Sequence, residues 1–520
     1  MTKEVKDHLF LLIKSLTKSE KRQFKLFVGR LDINQDSKFL HLFNFLDKAK
    51  TYDEAAILNN GIIKKQQLAN VKAHLYKQIL ISLKLNPSHQ NVRLQIREQL
   101  DFASILYHKG LYKQSLRILD KSKEFAIKNE EKNLAYEIVE LEKIIESQYI
   151  TRSISNRAED LTRQAEELST LNITASKLSN LSLQLYGIIL KSGYVKNESE
   201  RNEITTFFED RLPKYDFKLL GFREKLWLYN AHLWFSFLLQ DFKNCYRFAS
   251  KWVNLFYEYP RMISLNPVFF LKGNNYLLES IFFLRKKERF IEAYTNLKGQ
   301  LESSSFPTNE NIKILSFIYL NTHSINMHFI DGSFNQGIDK IPKIEEELRH
   351  LSSKIDTHYK MVLYYKFACL HFGAGNNREC IRYLQKIIST KSLKAREDLM
   401  CFARILNLVA HYEAGLDFHL DSLLKSTYRF LIKMNDLHEV QKEMIKFIKG
   451  LQDIYPGQVK AAFSELHQRL KQYEDHPFER RAFLYLDIIS WLESKIENVP
   501  VGVIFKRKFL EQSRGTLKDR

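Results

Sequence analysis

Apolar residues return every three or four positions through most of the chain. Phe24, Phe27, Val28 and Leu31 make one such stripe, Phe39, Leu42, Phe43 and Leu46 the next, and Leu68, Val71, Leu75 and Ile79 a third. This spacing puts the apolar side chains on one face of a helix; a half-buried strand would alternate instead. Polar residues mark the ends. Thr17-Lys18-Ser19-Glu20 has the form of a capping box, and Thr51-Tyr52-Asp53-Glu54 repeats it before a short helix that stops at Asn60-Gly61. Asn86-Pro87-Ser88 ends the third stripe, because proline donates no helical hydrogen bond and disfavours helix in the residue before it. Residues 1–88 are expected as a small helical N-terminal module.

From residue 90 onward one helical unit recurs. Its clearest copy runs from Ala103 through Gly110 and Tyr112 to Ser115 and Leu119. Later copies are Gln240-Asp241-Phe242 with Cys245, Glu288-Arg289-Phe290 with Ala293, Gly332-Ser333-Phe334 with Gly337, and Gly375 with Cys380. Gly415-Leu416-Asp417-Phe418 is a further turn with its aromatic shifted by one, and helix breaks near Ser153–Asn156 and Ser192–Gly193 supply two more. Successive turns fall about 40–48 residues apart. The unit resembles the tetratricopeptide repeat, in which a small residue of the first helix, a turn glycine, an aromatic two places on and a small residue three further let two helices cross closely. Ala103, Gly110, Tyr112 and Ser115 match those four roles. The strict repeat is about 34 residues long, so the helices or loops here are longer.

The resemblance implies an all-α fold, a right-handed α-solenoid of antiparallel helix hairpins over residues 90–475. After His476-Pro477, residues 476–497 read as a C-terminal capping helix, with Phe483, Leu486, Ile489 and Leu492 near one face. The segment 498–520 reads as an extended basic tail. The short helical module followed by a degenerate array is similar to many uncharacterised bacterial tetratricopeptide-like proteins of this size, which implies an interaction role.

Composition narrows the chemistry. Gly and Pro number only 17 and 9 in 520 residues, too few for the frequent turns of a sandwich or barrel. No phosphate-binding glycine loop, zinc-ligand spacing or nucleophile elbow is present. No catalytic residue, cofactor or metal is assigned, and a non-enzymatic role is expected. The most apolar run, Trp227–Leu239, is too short to span a bilayer. Cys245, Cys369, Cys380 and Cys401 form no CxxC pair, which fits a reducing, cytoplasmic setting. Cys245 and Cys380 stand in the small-residue slot of the repeat and are read as packing residues.

Two candidate binding regions remain. In the tetratricopeptide family the first-helix surface lines a concave groove that holds a peptide. The resemblance places Arg97, Tyr107 and His108 in the first segment of such a groove, Asn230 and Trp234 in the next, then Arg285 and Lys286, then Asn326, Tyr365 and Tyr412. Those residue types suit a binding surface, and aromatics at helical spacing equally suit a core. The second region is basic. The net charge is +19, and no acidic residue stands between Glu54 and Glu98 while Lys64, Lys65, Lys72, Lys77, Lys84, Arg93 and Arg97 all do. Lys77 and Lys84 fall opposite the stripe of Leu68 and Leu75. Lys506, Arg507 and Lys508 add a basic cluster near the C-terminus. Such a patch can track phosphates, or it can be a solvated face.

Three readings follow. The first is a cytoplasmic scaffold or adaptor that binds a protein or peptide in the groove. The second is a nucleic-acid- or ribosome-associated factor that uses the basic module and tail. The third is a peptide-sensing regulator. The sequence leaves the oligomeric state open.

Overall fold

The computed structural model describes residues 7–30, 38–61, 63–86, 91–148, 156–352, 354–390, 397–416, 420–434, 438–451, 454–479 and 487–518. Described residues are helical apart from the connections between helices, and none forms a strand. No helix among them is long and apolar enough to cross a membrane. Contacts divide the chain into two units, residues 1–165 and 166–520.

The first unit begins with α1 (His8–Ser15), α2 (Lys18–Gly29), α3 (Lys38–Lys48), α4 (Glu54–Asn59) and α5 (Lys65–Lys84). The Thr17 box forms as read. The Glu20 N–H donates to the Thr17 hydroxyl at 3.2 Å, and the Thr17 N–H donates to the Glu20 carboxylate at 2.6 Å. Before α4 the cap is Asp53, not Thr51. Its carboxylate stands immediately before the first helical residue and accepts from the Ala56 N–H at 3.2 Å, a reach Thr51 lacks. The three apolar stripes meet in one interior that includes Phe24, Val28, Phe43, Leu46, Leu75 and Ile79. Leu31 and the expected boundary at Pro87 lie outside the described residues.

Three further helices follow, α6 (Val92–His108), α7 (Tyr112–Lys128) and α8 (Lys132–Glu146). Gly110 takes left-handed angles, φ 73°, and the Leu111 N–H reaches back to the Leu106 carbonyl at 2.9 Å, which closes the helix end. Ser115, five places on, is fully buried and donates its hydroxyl to the Ala103 carbonyl at 2.8 Å. Glu130 repeats the turn with φ 60°, and Ala135 fills the same buried place. A charged cluster ties α7 and α8 to the start of α9 (Arg157–Ser192). Lys123 donates to the fully buried Glu142 at 2.6 Å, and Arg157 reaches Asp120, Glu142 and Glu146 at 3.2, 3.3 and 3.4 Å.

The division between the units falls within α9, a single helix of 36 residues. α9 ends at Ser192, at the break expected near Ser192–Gly193. No glycine or proline interrupts residues 157–186, so no turn forms before Gly193, whose φ is 74°. The other expected break, near Ser153–Asn156, lies largely outside the described residues.

The second unit continues with α10 (Glu198–Arg211), α11 (Phe222–Leu238), α12 (Phe242–Glu258), α13 (Arg261–Leu265), α14 (Pro267–Phe283), α15 (Lys287–Glu302), α16 (Glu310–Asp331), α17 (Phe334–Ile338) and α18 (Ile341–His350). Then come α19 (Thr357–Gly373), α20 (Asn377–Ile388), α21 (Glu397–Glu413), α22 (Leu420–Lys433), α23 (Glu439–Gly450), α24 (Val459–Lys471), α25 (Ile488–Glu497) and α26 (Val501–Lys518). Most helices pack on the one before and after, and α14, α16, α19 and α21 also pack on one another in turn. Left-handed residues stand at Gln240, Arg285, Gly332, Gly375 and Gly415, 40 to 47 residues apart. Five places after each comes a buried residue: Cys245, Phe290, Gly337, Cys380 and Leu420.

This register corrects the third repeat. Its turn residue is Arg285, so Phe290 takes the crossing position expected for Ala293. Gly337 is required by space, since a Cβ there would lie 2.7 Å from Leu370. The end of the chain is also corrected. Residues 501–518 are helical, not extended, because Ile504 is fully buried and the Phe505 ring packs 5.2 Å from Phe334. Residues 480–486 of the expected capping helix lie outside the described residues; α25 buries Ile488, Ile489, Trp491 and Leu492.

Two stability experiments follow. Gly110 has open space where a Cβ would stand but a positive φ, so Gly110→Ala should cost about 1 kcal/mol. Gly299, helical and equally open, should gain about 0.5–1 kcal/mol as Gly299→Ala. Chemical denaturation checks the opposite signs. Lys123→Met strips Glu142 of its closest cation and should lower stability by roughly 3 kcal/mol, read in the same way.

Candidate functional site

The second unit contains a cavity of about 320 Å³. Most of its wall comes from α9, α11, α14, α16 and α19, and the C-terminal helix α26 adds Val501, Phe505 and Lys508. The sequence builds this wall because these helices carry a second stripe beside the core-facing one. On α14 it runs Asn275, Tyr276, Glu279, Phe282; on α16, Tyr319, His323, Asn326, Phe329; on α19, Tyr359, Val362, Lys366, Cys369. Steps of three and four, with Asn275 beside Tyr276 on α14, keep each set on one broad helical face.

A polar chain crosses three of these helices. Lys366 Nζ donates to Asn326 Oδ1 at 2.6 Å. Asn326 Nδ2 then faces His323 Nδ1 at 3.3 Å, and His323 Nε2 meets Asn275 Oδ1 at 2.9 Å. An ammonium group only donates, so it fixes the direction of the whole chain. Asn326 presents its amide hydrogens to Nδ1, and the imidazole proton sits on Nε2 and points to Asn275. His323 is thereby neutral. Burial, reinforced by the nearby Lys366 charge, holds its pKa down to about 3.

The same helices meet again one step earlier. The hydroxyls of Tyr319 and Tyr359 are close enough to influence each other. The pairs Tyr319–Tyr359 and Asn326–Lys366 both advance by seven residues, so α16 and α19 run parallel across the wall, and the two contacts lie about 10 Å apart. Around the tyrosine end, the rings of Tyr186 and Trp234 are 4.7 Å apart and those of Trp234 and Tyr276 are 5.0 Å apart. Burial raises the phenol pKa of Tyr276, Tyr319 and Tyr359, which keeps all three neutral.

Closure at the far end depends on glycine. Gly332 has φ 68°, and a Cβ there would meet Phe505 Cβ at 2.9 Å and the Gly502 carbonyl at 3.0 Å. Gly373 likewise leaves room for the Phe334 ring, 2.7 Å from where its Cβ would be. Arg285 stands 3.6 Å from Asp487. Lys508 donates to Ser490 at 2.9 Å and pairs with Glu493 at 2.8 Å.

Of the groove residues expected from the repeat frame, the structure brings Trp234, Arg285, Asn326 and Tyr365 to this cavity. Asn230 is buried elsewhere on α11, Lys286 is exposed ahead of α15, and Tyr412 packs 6.3 Å from Phe463. Arg97, Tyr107 and His108 belong to the first unit, where Tyr107 donates to Gln148 at 3.3 Å. Sequence reasoning missed Tyr186, Tyr276, Glu279, Tyr319, His323, Tyr359 and Lys366. The signal for those on α14, α16 and α19 was the second stripe; Tyr186 lies on α9.

The basic candidates are partly neutralised. Lys72 pairs with Asp7, Arg93 with Glu131 at 3.6 Å, Arg507 with Glu497 at 2.5 Å, and Lys508 as above. Lys64, Lys65, Lys77, Lys84 and Lys506 are exposed. Cys245 and Cys380 are fully buried, and burial pushes both thiols up. Among the described residues no group of three or more His, Cys, Asp or Glu is placed to hold a metal ion.

His323 makes acid stability measurable. Its pKa in the unfolded chain is near 6.5 and in the fold about 3, so the folded state refuses a proton that the unfolded state accepts. The full contribution stands above pH 6.5 and is lost as the pH falls toward 3, at about 1.4 kcal/mol per pH unit. His323→Gln should flatten that slope by up to one proton in denaturation curves taken between pH 7 and 4.

No protein-family model matches the chain, and no curated protein or solved structure is significantly similar to it, so the functional reading rests on the residues of the cavity.

Proposed function

We propose that the second unit is a non-enzymatic binding module, a degenerate tetratricopeptide-like right-handed solenoid that holds a short segment of a protein partner on its first-helix face. The observation that carries this is the cavity wall itself, which unites aromatic rings with a fixed polar chain from Asn275 to Lys366. Sites of this kind bind by burying apolar groups and orient them with a few polar atoms. A volume of about 320 Å³ suits one or two side chains, not a folded surface. The parallel helices offer donors and rings at intervals of two helical turns, a ladder along which an extended segment can lie. A scaffold or adaptor in a reducing, cytoplasmic setting agrees with four free cysteines, three of them buried.

The nucleic-acid reading is weakened by the carboxylates that Lys72, Arg93, Arg507 and Lys508 already engage. Salt separates the two: phosphate-driven binding falls steeply with salt, and burial of aromatic groups barely responds.

The test is selection of binding peptides from a random display library with the full chain, followed by calorimetry. Trp234→Ala should weaken a selected peptide tenfold or more, about 1.4 kcal/mol, while the exposed Lys286→Ala leaves it unchanged. Equal affinity for wild type and Trp234→Ala would remove the cavity from the binding site.

A further inference from the structure

The cavity wall is chemically divided. Toward the C-terminal ends of α14, α16 and α19 it carries Phe282, Phe329 and Phe372, joined by Phe505 of α26. The cations gather there as well. Lys366 lies 5.6 Å from the Phe282 ring centre and 5.9 Å from that of Phe329, Arg285 faces Asp487, and Lys508 faces Glu493. About two helical turns earlier on α16 and α19, and one to two turns earlier on α14, the composition changes. The rings there are Tyr186, Trp234, Tyr276, Tyr319 and Tyr359, and the charged residue among them is the carboxylate Glu279. The Glu279 charge, a small addition to burial, helps keep the hydroxyls of Tyr276, Tyr319 and Tyr359 protonated.

Tyrosine and tryptophan faces carry a negative quadrupole that attracts a cation, most strongly where water is excluded. A carboxylate among them adds a full opposite charge. A ring of such faces closes around an ammonium group from several sides, an arrangement that a purely apolar ligand does not require. We infer that the Tyr186–Trp234–Tyr276–Tyr319–Tyr359 pocket around Glu279 is a recognition site for an organic cation, a methylated or unmodified ammonium or a guanidinium. On the reading proposed above, this cation is a lysine or arginine side chain of the bound segment. The Lys366–Asn326 pair, about 10 Å further along, then takes an acceptor of the same ligand.

Calorimetry on the full chain tests the inference with choline and its uncharged isostere 3,3-dimethylbutan-1-ol, which match in shape and differ in charge. N-acetyl-trimethyllysine amide and N-acetyl-arginine amide supply the peptide-borne forms. Choline should bind at least tenfold more tightly than the isostere. Glu279→Gln should lose most of that preference, and Tyr359→Leu should lose it while Tyr359→Phe, which keeps the ring face, retains it. Tighter binding of the amides than of choline identifies a side chain as the source; the reverse identifies a free ammonium compound. Equal binding of choline and the isostere, or no binding of any cation at millimolar concentration, overturns the inference. The two readings fail separately. Selected peptides that bind without a lysine or arginine leave the peptide module standing and remove the cation site. Cations that bind where no peptide does leave the site and remove the module.

Discussion

Hairpins of closely packed helices recur in this chain where one residue adopts left-handed backbone angles and the residue five places on is buried. Such turns stand at Gly110, Glu130, Gln240, Arg285, Gly332, Gly375 and Gly415. Three of those positions are occupied by residues that accept left-handed angles reluctantly, so the sharp helix end outweighs about 1 kcal/mol of backbone cost. The consequence is orientation. Each turn fixes how the helix that ends there packs on the one that follows, and therefore which stripe of the first helix is left over; α14, α16 and α19 end at the turns of Arg285, Gly332 and Gly375. On α14, α16 and α19 the remaining stripe is the cavity wall.

Within that wall a single direction of hydrogen bonding runs through three helices. Because Lys366 can only donate, Asn326, His323 and Asn275 have one consistent arrangement, and His323 stays neutral at any pH where the protein is folded and near neutrality. Buried polar groups satisfied in this way hold helices in register without adding an uncompensated charge. The apolar contacts of Phe334 with Phe505, allowed by the missing side chains of Gly332 and Gly373, bring α26 to the far side. The cavity thus depends on positions spread from Tyr186 to Lys508, and it forms only once the whole second unit has folded.

Much of the fold was legible in the sequence because helical periodicity and turn residues act locally. The Thr17 box, the stripes around Phe24 and Phe43, and the turns at Gly110, Gly332, Gly375 and Gly415 are written within a few residues of where they act. Arg285 was missed as the turn residue because its side chain gives no hint of left-handed angles, and that turn was read three residues late. The long α9 was missed because a break at each end of residues 157–192 does not reveal that nothing interrupts them. The helical C-terminus was missed because Lys506, Arg507 and Lys508 suggested a solvated tail, whereas Ile504 and Phe505 between them anchor it. The cavity divides the same way. Trp234, Arg285, Asn326 and Tyr365 followed from the repeat frame, but a frame counts positions within a repeat and does not report that Tyr186, Glu279 and Lys366, on three helices, line one cavity.

The most direct measurement is amide hydrogen exchange on the full chain, with and without a peptide selected for binding. Added protection is expected on α9, α11, α14, α16, α19 and α26, the helices whose side chains surround the cavity, with α5 unchanged. Protection confined to α5 and its exposed lysines, or none on α14, α16 and α19, would contradict the proposed site.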